Sequence, residues 1–263
     1  LPATRPGLSV PMLKTPVLTD QQIGDFRRDG YVVVRGTFDA AEMGRIDTWA
    51  RELAALPEKA GRHWVFWENS LIEPDKKIVS RIENISPFHP GFAELSQALK
   101  APVGQLLGED AVLFKEKVNF KMPGGDGFKP HQDSQAGWDA YAKLFVTVLV
   151  SIDEATEENG CLKIAAGEHQ RGLFRAWEPL TEDDMAGMDF TFCPTRPGDL
   201  VFLDSYTPHG SASNMSDTIR RLYFATYNRL SEGDHLARYY ADKRQSYPPD
   251  IERQPRKEYV FRV

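Results

Sequence analysis

Lys129-Pro130-His131-Gln132-Asp133-Ser134, read together with the distant Pro208-His209-Gly210-Ser211, decides how this chain is understood. Side chains alternate along extended chain, so His131 and Asp133 point to one face. A second histidine brought alongside completes two imidazoles and one carboxylate. That set can hold a ferrous ion by one triangular face and leave the other positions open for oxygen chemistry. The same ligands also suit zinc. A lone His-x-Asp is weak evidence in a chain with six histidines. Here three features agree. His131 and Asp133 follow a turn, Pro123 to Gly127. His209 follows the apolar run Leu200 to Leu203, at a polar mouth before Gly210. Arg220 lies eleven residues after His209, at the start of another extended stretch. An arginine fork binds a carboxylate through two parallel hydrogen bonds, so it suits an acid co-substrate. Strand parity does not choose between Arg220 and Arg221.

Outward from these stretches the chain reads as strands separated by turns. From Val112 to Met122, Phe114, Val118, Phe120 and Met122 share one parity, and Lys115, Lys117, Asn119 and Lys121 share the other, with Glu116 a blemish on the apolar side. Such a strand is either half exposed or lines a wet pocket with its polar face. Leu144 to Ile152 reads as a fully buried strand. Glu158-Asn159-Gly160 turns into Cys161 to Ala165, Pro197-Gly198-Asp199 turns into Leu200 to Leu203, and Leu222 to Asn228 is a last strand. Pro123-Gly124-Gly125-Asp126-Gly127 lacks the spacing of a nucleotide-binding loop.

Upstream, Asp20 is expected to cap a helix through about Arg28, stopped by Gly30 before the strand Tyr31 to Val34. Asp39 with Glu42 forms a capping box, and Met43, Ile46, Trp49, Ala50 and Leu53 recur at helical spacing until Pro57. Ile78 to Ile82 reads as a strand and residues 91 to 107 as short helices. His235 to Arg244 closes the chain as a helix before a polar tail. The pattern predicts a mainly β chain with α: a double-stranded β-helix (jelly roll, cupin-like) with the N-terminal helices packed outside. One domain is expected over residues 17–263, with the jelly-roll core at about 111–230 and a flexible tail at 1–16.

A net charge of −6 argues against a broad nucleic-acid surface. Cys161 and Cys193, the two cysteines, form no CxxC pair and fit a reducing compartment. No apolar run approaches the roughly 18 residues of a spanning helix, and no secretory signal opens the chain. A cytoplasmic protein with a small-molecule partner is expected, with neither nucleic acid nor membrane.

The same residues carry a resemblance. Gly198-Asp199-Leu200-Val201-Phe202-Leu203-Asp204, His209-Gly210-Ser211 and Arg220, with the His131/Asp133 pair, resemble the phytanoyl-CoA dioxygenase family of iron(II)- and 2-oxoglutarate-dependent oxygenases. Asp29-Gly30-Tyr31 and Glu158 to Leu162 extend the likeness. The family spacing selects Arg220 over Arg221. The resemblance implies iron(II) on His131, Asp133 and His209, with 2-oxoglutarate and O2 as co-substrates. It also implies Arg220, helped by Ser211, on the distal carboxylate, and Asn119, Gln132 and Thr147 as further co-substrate contacts. Because Asp133 is present, hydroxylation is expected rather than halogenation, and the Arg220 and His-Gly-Ser context favours iron over hydrolytic zinc.

For the substrate, the segment Asn119 to Trp138 resembles the branch that hydroxylates 2-aminoethylphosphonate beside phosphorus. Lys117, Asn119, Gln135, Trp138 and Arg175 are then expected to contact an aminophosphonate, with Lys129 a further cation and Asp139 or Glu116 facing an ammonium. Trp64, Phe66, Trp67, Trp138 and Tyr141 could instead cage a trimethylammonium. The contrasting expectations are a hydroxylase of another small zwitterionic or acyl substrate and a catalytically silent jelly-roll module that binds without turnover.

Overall fold

The computed structural model describes residues 13–261. Of the expected tail, residues 1–12 lie outside the described residues. Residues 13–16 are docked rather than flexible: the Leu13 N–H donates to Glu94 at 2.6 Å and the Lys14 N–H to Glu42 at 2.9 Å, with Leu13 and Pro16 buried.

Helix α1 spans Asp20–Asp29, and its cap is Thr19 rather than Asp20. The Thr19 hydroxyl accepts from the Gln22 N–H while the Gln22 side chain accepts from the Thr19 N–H, a reciprocal box that Asp20, already helical, cannot make. Gly30 ends the helix at φ +78°, where a Cβ would meet the Thr207 hydroxyl at 2.3 Å. Strand β1 is Tyr31–Val34, and α2, Ala40–Ala55, starts from the Asp39/Glu42 box. Next come β2 (Trp64–Asn69), β3 (Lys77–Glu83), α3 (Pro90–Ala98) and α4 (Lys100–Leu107). The remaining strands are β4 (Ala111–Lys121), β5 (Phe128–His131), β6 (Phe145–Ser151), β7 (Leu162–Ala165), β8 (Phe190–Cys193), β9 (Leu200–Asp204), β10 (His209–Ser211) and β11 (Arg220–Arg229), before α5 (Leu236–Ser246).

These strands form two facing sheets, β1-β9-β6-β11-β4-β3-β2 and β5-β10-β7-β8. Parity divides the core. Val146, Val148 and Val150 of β6, with Leu200 and Phe202 of β9, pack outward against α3 and α4 through Phe92, Leu95, Leu99 and Val103. Leu149, Val201 and Leu203 face inward, onto Leu162 and Ile164 of the smaller sheet. The continuous apolar runs are thus strands covered on both faces.

On β4 the polar parity faces inward and Val118 and Phe120 face the helices. Phe114 departs from the expected pattern. A bulge opposite Thr226/Tyr227 leaves it unpaired, and it joins Trp138, Phe145 and Tyr239 in an aromatic cluster beside the pocket. A bulge inserts one residue and so reverses parity beyond it. Glu116 is not exposed by its place on the apolar side. It is buried, accepting from the Ile85 and Ser86 N–H groups and, at 2.7 Å, from the Tyr223 hydroxyl.

Candidate active site

His131 ends β5 and His209 begins β10, and the two are direct cross-strand partners with ring centroids 4.4 Å apart. Gln132 continues in extended conformation (φ −107°, ψ 138°), so Asp133 returns to the face of His131 just as the chain enters a short 3-10 helix, Asp133–Ala136. Among the described residues, these three side chains form a group whose donor atoms lie within 4.8 Å of one another. Each histidine donates its Nδ1–H to a backbone carbonyl two residues back, His131 to Lys129 at 2.7 Å and His209 to Thr207 at 2.9 Å. Both Nε2 atoms therefore carry a free lone pair on the Asp133 side. Each sits 3.8 Å from Asp133 Oδ1, too long for a hydrogen bond and open to a cation held in common. Thr147 donates to Asp133 Oδ2 at 3.1 Å and shares a 2.9 Å hydrogen bond with Thr226.

The electrostatics suit ligation. Burial, then the neighbouring His209, push His131 down to about 3, so its imidazole is neutral. For Asp133 burial pulls upward, but His209 and His131, then Lys115 and Lys117, outweigh it and hold the carboxyl below its usual value. A neutral imidazole and an ionised carboxylate are the forms a metal binds.

The triad opens onto an inner chamber of about 40 Å³, lined also by Asn119, Thr147, Ser211, Arg220 and Phe224. Arg220 is 1% exposed, and its Nε and Nη1 have no hydrogen-bond partner among the described residues. Burial lowers it to about 10, so it remains charged at neutral pH. A buried guanidinium with unpaired donors calls for a carboxylate from outside the chain. Arg221, its neighbour, is consumed by Asp153 at 2.8 Å and Asp47 at 2.7 Å. The donor set and the unpaired guanidinium fit a divalent metal together with a dicarboxylate.

Outside the chamber, a vestibule of about 580 Å³ shares Lys115, Lys117, His131, Asp133 and Trp138 with it. Its far wall comes from β3, α5 and the C-terminal segment: Arg81, Glu83, Lys243, Val260 and Phe261. The tail read as polar thus supplies an apolar wall.

The chain belongs to the phytanoyl-CoA dioxygenase family. The family model matches residues 26–222, which contain every chamber residue named above except Phe224. The chain is 38% identical to a 2-aminoethylphosphonate dioxygenase of uncultured bacterium HF130_AEPn_1, over 92% of this chain and 93% of that one. It is 36% identical to a methylphosphonate hydroxylase of Gimesia maris, over 88% of each. Among solved structures, EctD from S. alaskensis with 2-oxoglutarate and 5-hydroxyectoine superposes with a TM-score of 0.70 at 25% identity, over 82% of this chain and 77% of that chain. This family member is a 2-oxoglutarate-dependent dioxygenase with iron(II) and O2 chemistry.

Several expected contacts are placed elsewhere. Gln132 points away from the triad, donating to the Gly172 and Tyr206 carbonyls and accepting from the Phe174 N–H. Gln135 accepts from the Gln132 N–H and donates to the Glu178 carbonyl. Both tie down the loop that carries Asp133 and do not line the cavities. Arg175 is held outside by Asp184 at 2.6 Å, and Lys129 and Asp139 are exposed. Glu116 lies behind the sheet. The aromatic cage does not assemble: Trp64 is fully buried against Tyr240, Phe66 stacks on Tyr247 and Trp67 faces solvent, leaving Trp138 and Tyr141 at the cavity. Lys115, Phe128 and Thr226 line the chamber without having been singled out. The Lys115/Lys117 parity signalled the first, whereas Arg81, Glu83 and Lys243 come from remote elements and left no local trace.

Proposed function

We propose that this oxygenase hydroxylates a small phosphonate, 2-aminoethylphosphonate or an N-methylated relative, at the carbon beside phosphorus. The observation that carries the reading is the cationic floor next to the triad. Lys115 and Lys117 face the vestibule from β4, with Asn119 following in the chamber. On β3, Arg81 is the register partner of Asn119 and Glu83 that of Lys117. Glu83 is engaged by Arg81 at 2.7 Å and Lys243 at 2.6 Å, which leaves Lys115 and Lys117 for an incoming anion. A phosphonate wants several such donors converging. Two relatives that cover most of this chain are named for phosphonates, which supports the same class.

In this reading His131, Asp133 and His209 hold iron(II), and Arg220 with Ser211 holds the distal carboxylate of 2-oxoglutarate. Iron(II) and 2-oxoglutarate, when bound, supply the activation of O2 that turns a C–H bond into C–OH, with succinate and carbon dioxide released. Thr147 fixes the Asp133 carboxylate, which sets the direction of its free oxygen. Lys117 and Asn119 hold the phosphonate, so that the adjacent carbon lies toward the triad. Trp138, Phe128 and Phe224 exclude water around it. Asp242 and Glu258 of the vestibule rim take the ammonium, in place of Asp139 and Glu116.

The test is succinate release from 2-oxoglutarate with added iron(II), run with 2-aminoethylphosphonate, its N-methylated forms, methylphosphonate and the carboxylate analogue β-alanine. Stimulation by phosphonates and not by β-alanine is expected. Equal stimulation by β-alanine, or none by any phosphonate, would remove the substrate assignment.

A further inference from the structure

Lys121 is the last residue of β4 and lies directly across from Arg220, the first residue of β11. Both are buried, at 3% and 1% exposure. Like charges placed opposite one another in a sheet repel, and burial strengthens the repulsion. Among the described residues, neither has a carboxylate within hydrogen-bond reach. Arg220 leaves Nε and Nη1 unpaired, while Lys121 Nζ donates to Ser211 Oγ at 2.7 Å and to the Ala212 carbonyl. Glu68 and Asp126 act on Lys121 only from a distance. Burial, then the field of Arg220, push Lys121 down to about 6, so both residues carry full charge together only when an anion is received beside them.

The geometry divides the work between them. Arg220 and Ser211 line the chamber; Lys121 does not. Ser211 Oγ accepts from Lys121 Nζ and donates to nothing among the described residues. With a lone pair committed to Lys121, the hydroxyl proton is turned away from it, toward the chamber. The turn at Gly160 (φ +79°) closes over this junction: a Cβ there would stand 2.3 Å from the Ala212 carbonyl oxygen and 3.2 Å from Lys121 Nζ.

We infer that Lys121 is a positioning residue for the co-substrate, aiming the Ser211 hydroxyl at the distal carboxylate of 2-oxoglutarate beside Arg220. The inference rests on the reading of Arg220 as the carboxylate anchor, and its test separates the two. Binding is measured by calorimetry on protein loaded with Mn(II) in place of iron, with 2-oxoglutarate and with pyruvate, which has the same keto-acid end and no distal carboxylate. Lys121→Met is expected to weaken 2-oxoglutarate about tenfold, the scale of one charge-assisted hydrogen bond, and to leave pyruvate unchanged. Ser211→Ala should match it, and the double variant should be no weaker than either single one. Should Lys121→Met fail to fold, Lys121→Arg, which keeps the charge and the donor, must bind 2-oxoglutarate within about threefold of the parent while Ser211→Ala shows the selective loss.

An unchanged 2-oxoglutarate affinity in Lys121→Met, an equal loss for pyruvate, or multiplying losses in the double variant would overturn the inference. If Lys121→Met is silent while Arg220→Met abolishes selective 2-oxoglutarate binding, only the inference fails. If both are silent, the anchor assignment fails with it.

Discussion

Lys117 is a lysine whose charge is conditional. Burial first, then the fields of Lys115 and Arg81, push it down to about 7, with Glu83 and Asp133 offsetting part of that. A lysine whose pKa is lowered is charged below the shifted value and neutral above it. If Lys117 carries the phosphonate, kcat/KM for the phosphonate falls as pH rises through about 7 in the free enzyme. Lys117→Arg stays charged and should move that limb upward by more than one pH unit. A pH profile with the same limb in both proteins would remove Lys117 from substrate binding. Its neighbours Arg220 and Arg221 show how much one position decides. Among the described residues Arg220 keeps Nε and Nη1 without partners, whereas Arg221 ties β11 to Asp153 and Asp47.

Among the elements, β4 does most to separate fold from site. Its inner face carries Lys117, Asn119 and Lys121, and its outer face Glu116, Val118 and Phe120. Glu116→Ala strips the acceptor from the Ile85 and Ser86 N–H groups and the Tyr223 hydroxyl. It should cost on the order of 3 kcal/mol in urea unfolding and leave KM for the phosphonate within twofold. A tenfold change in KM with intact stability would instead return Glu116 to the substrate. The alternation of β4 was legible because half-buried strands carry it in their composition. The bulge at Phe114 was not, since an inserted residue has no signature until its partner strand is known. The His131/Asp133 pair was legible for the same reason as the alternation. The roles of Gln132 and Gln135 were misjudged because proximity in sequence to a ligand says nothing about which face a side chain takes. Short β8 left too little pattern to read.

Over the whole molecule, the site is assembled where three distant segments meet: the strands of the jelly roll, α5 and the C-terminal segment. Glu83 on β3 holds Lys243 of α5 at 2.6 Å with both largely buried. Burial alone would raise the Glu83 carboxyl, but Lys243 and Arg81 outweigh it and hold it well below the usual carboxylate range. The sign follows. A carboxyl depressed in the folded state stabilises above its unfolded value, and that contribution is lost as pH falls through the carboxylate range. Lys243→Met leaves Glu83 with Arg81 as its ion-pair partner and Lys115 acting from farther off, and should destabilise by on the order of 3 kcal/mol at pH 7, with the deficit shrinking in acid. Restoring stability by pairing it with Glu83→Gln would support the account, whereas a deficit independent of pH would speak against it. No helix among the described residues is long and apolar enough to cross a membrane. The overall charge of −6 gives no hint of the cationic floor, because a net sum hides where the charges lie.

The most direct measurement is phosphorus NMR of 2-aminoethylphosphonate incubated with the protein, iron(II), 2-oxoglutarate and air, with succinate counted in the same tube. The account predicts one new phosphonate resonance, still bonded to carbon, growing in step with one succinate per product, and neither forming in Asp133→Ala. Succinate that accumulates without any change at phosphorus, or free phosphate in place of a hydroxylated phosphonate, would contradict it.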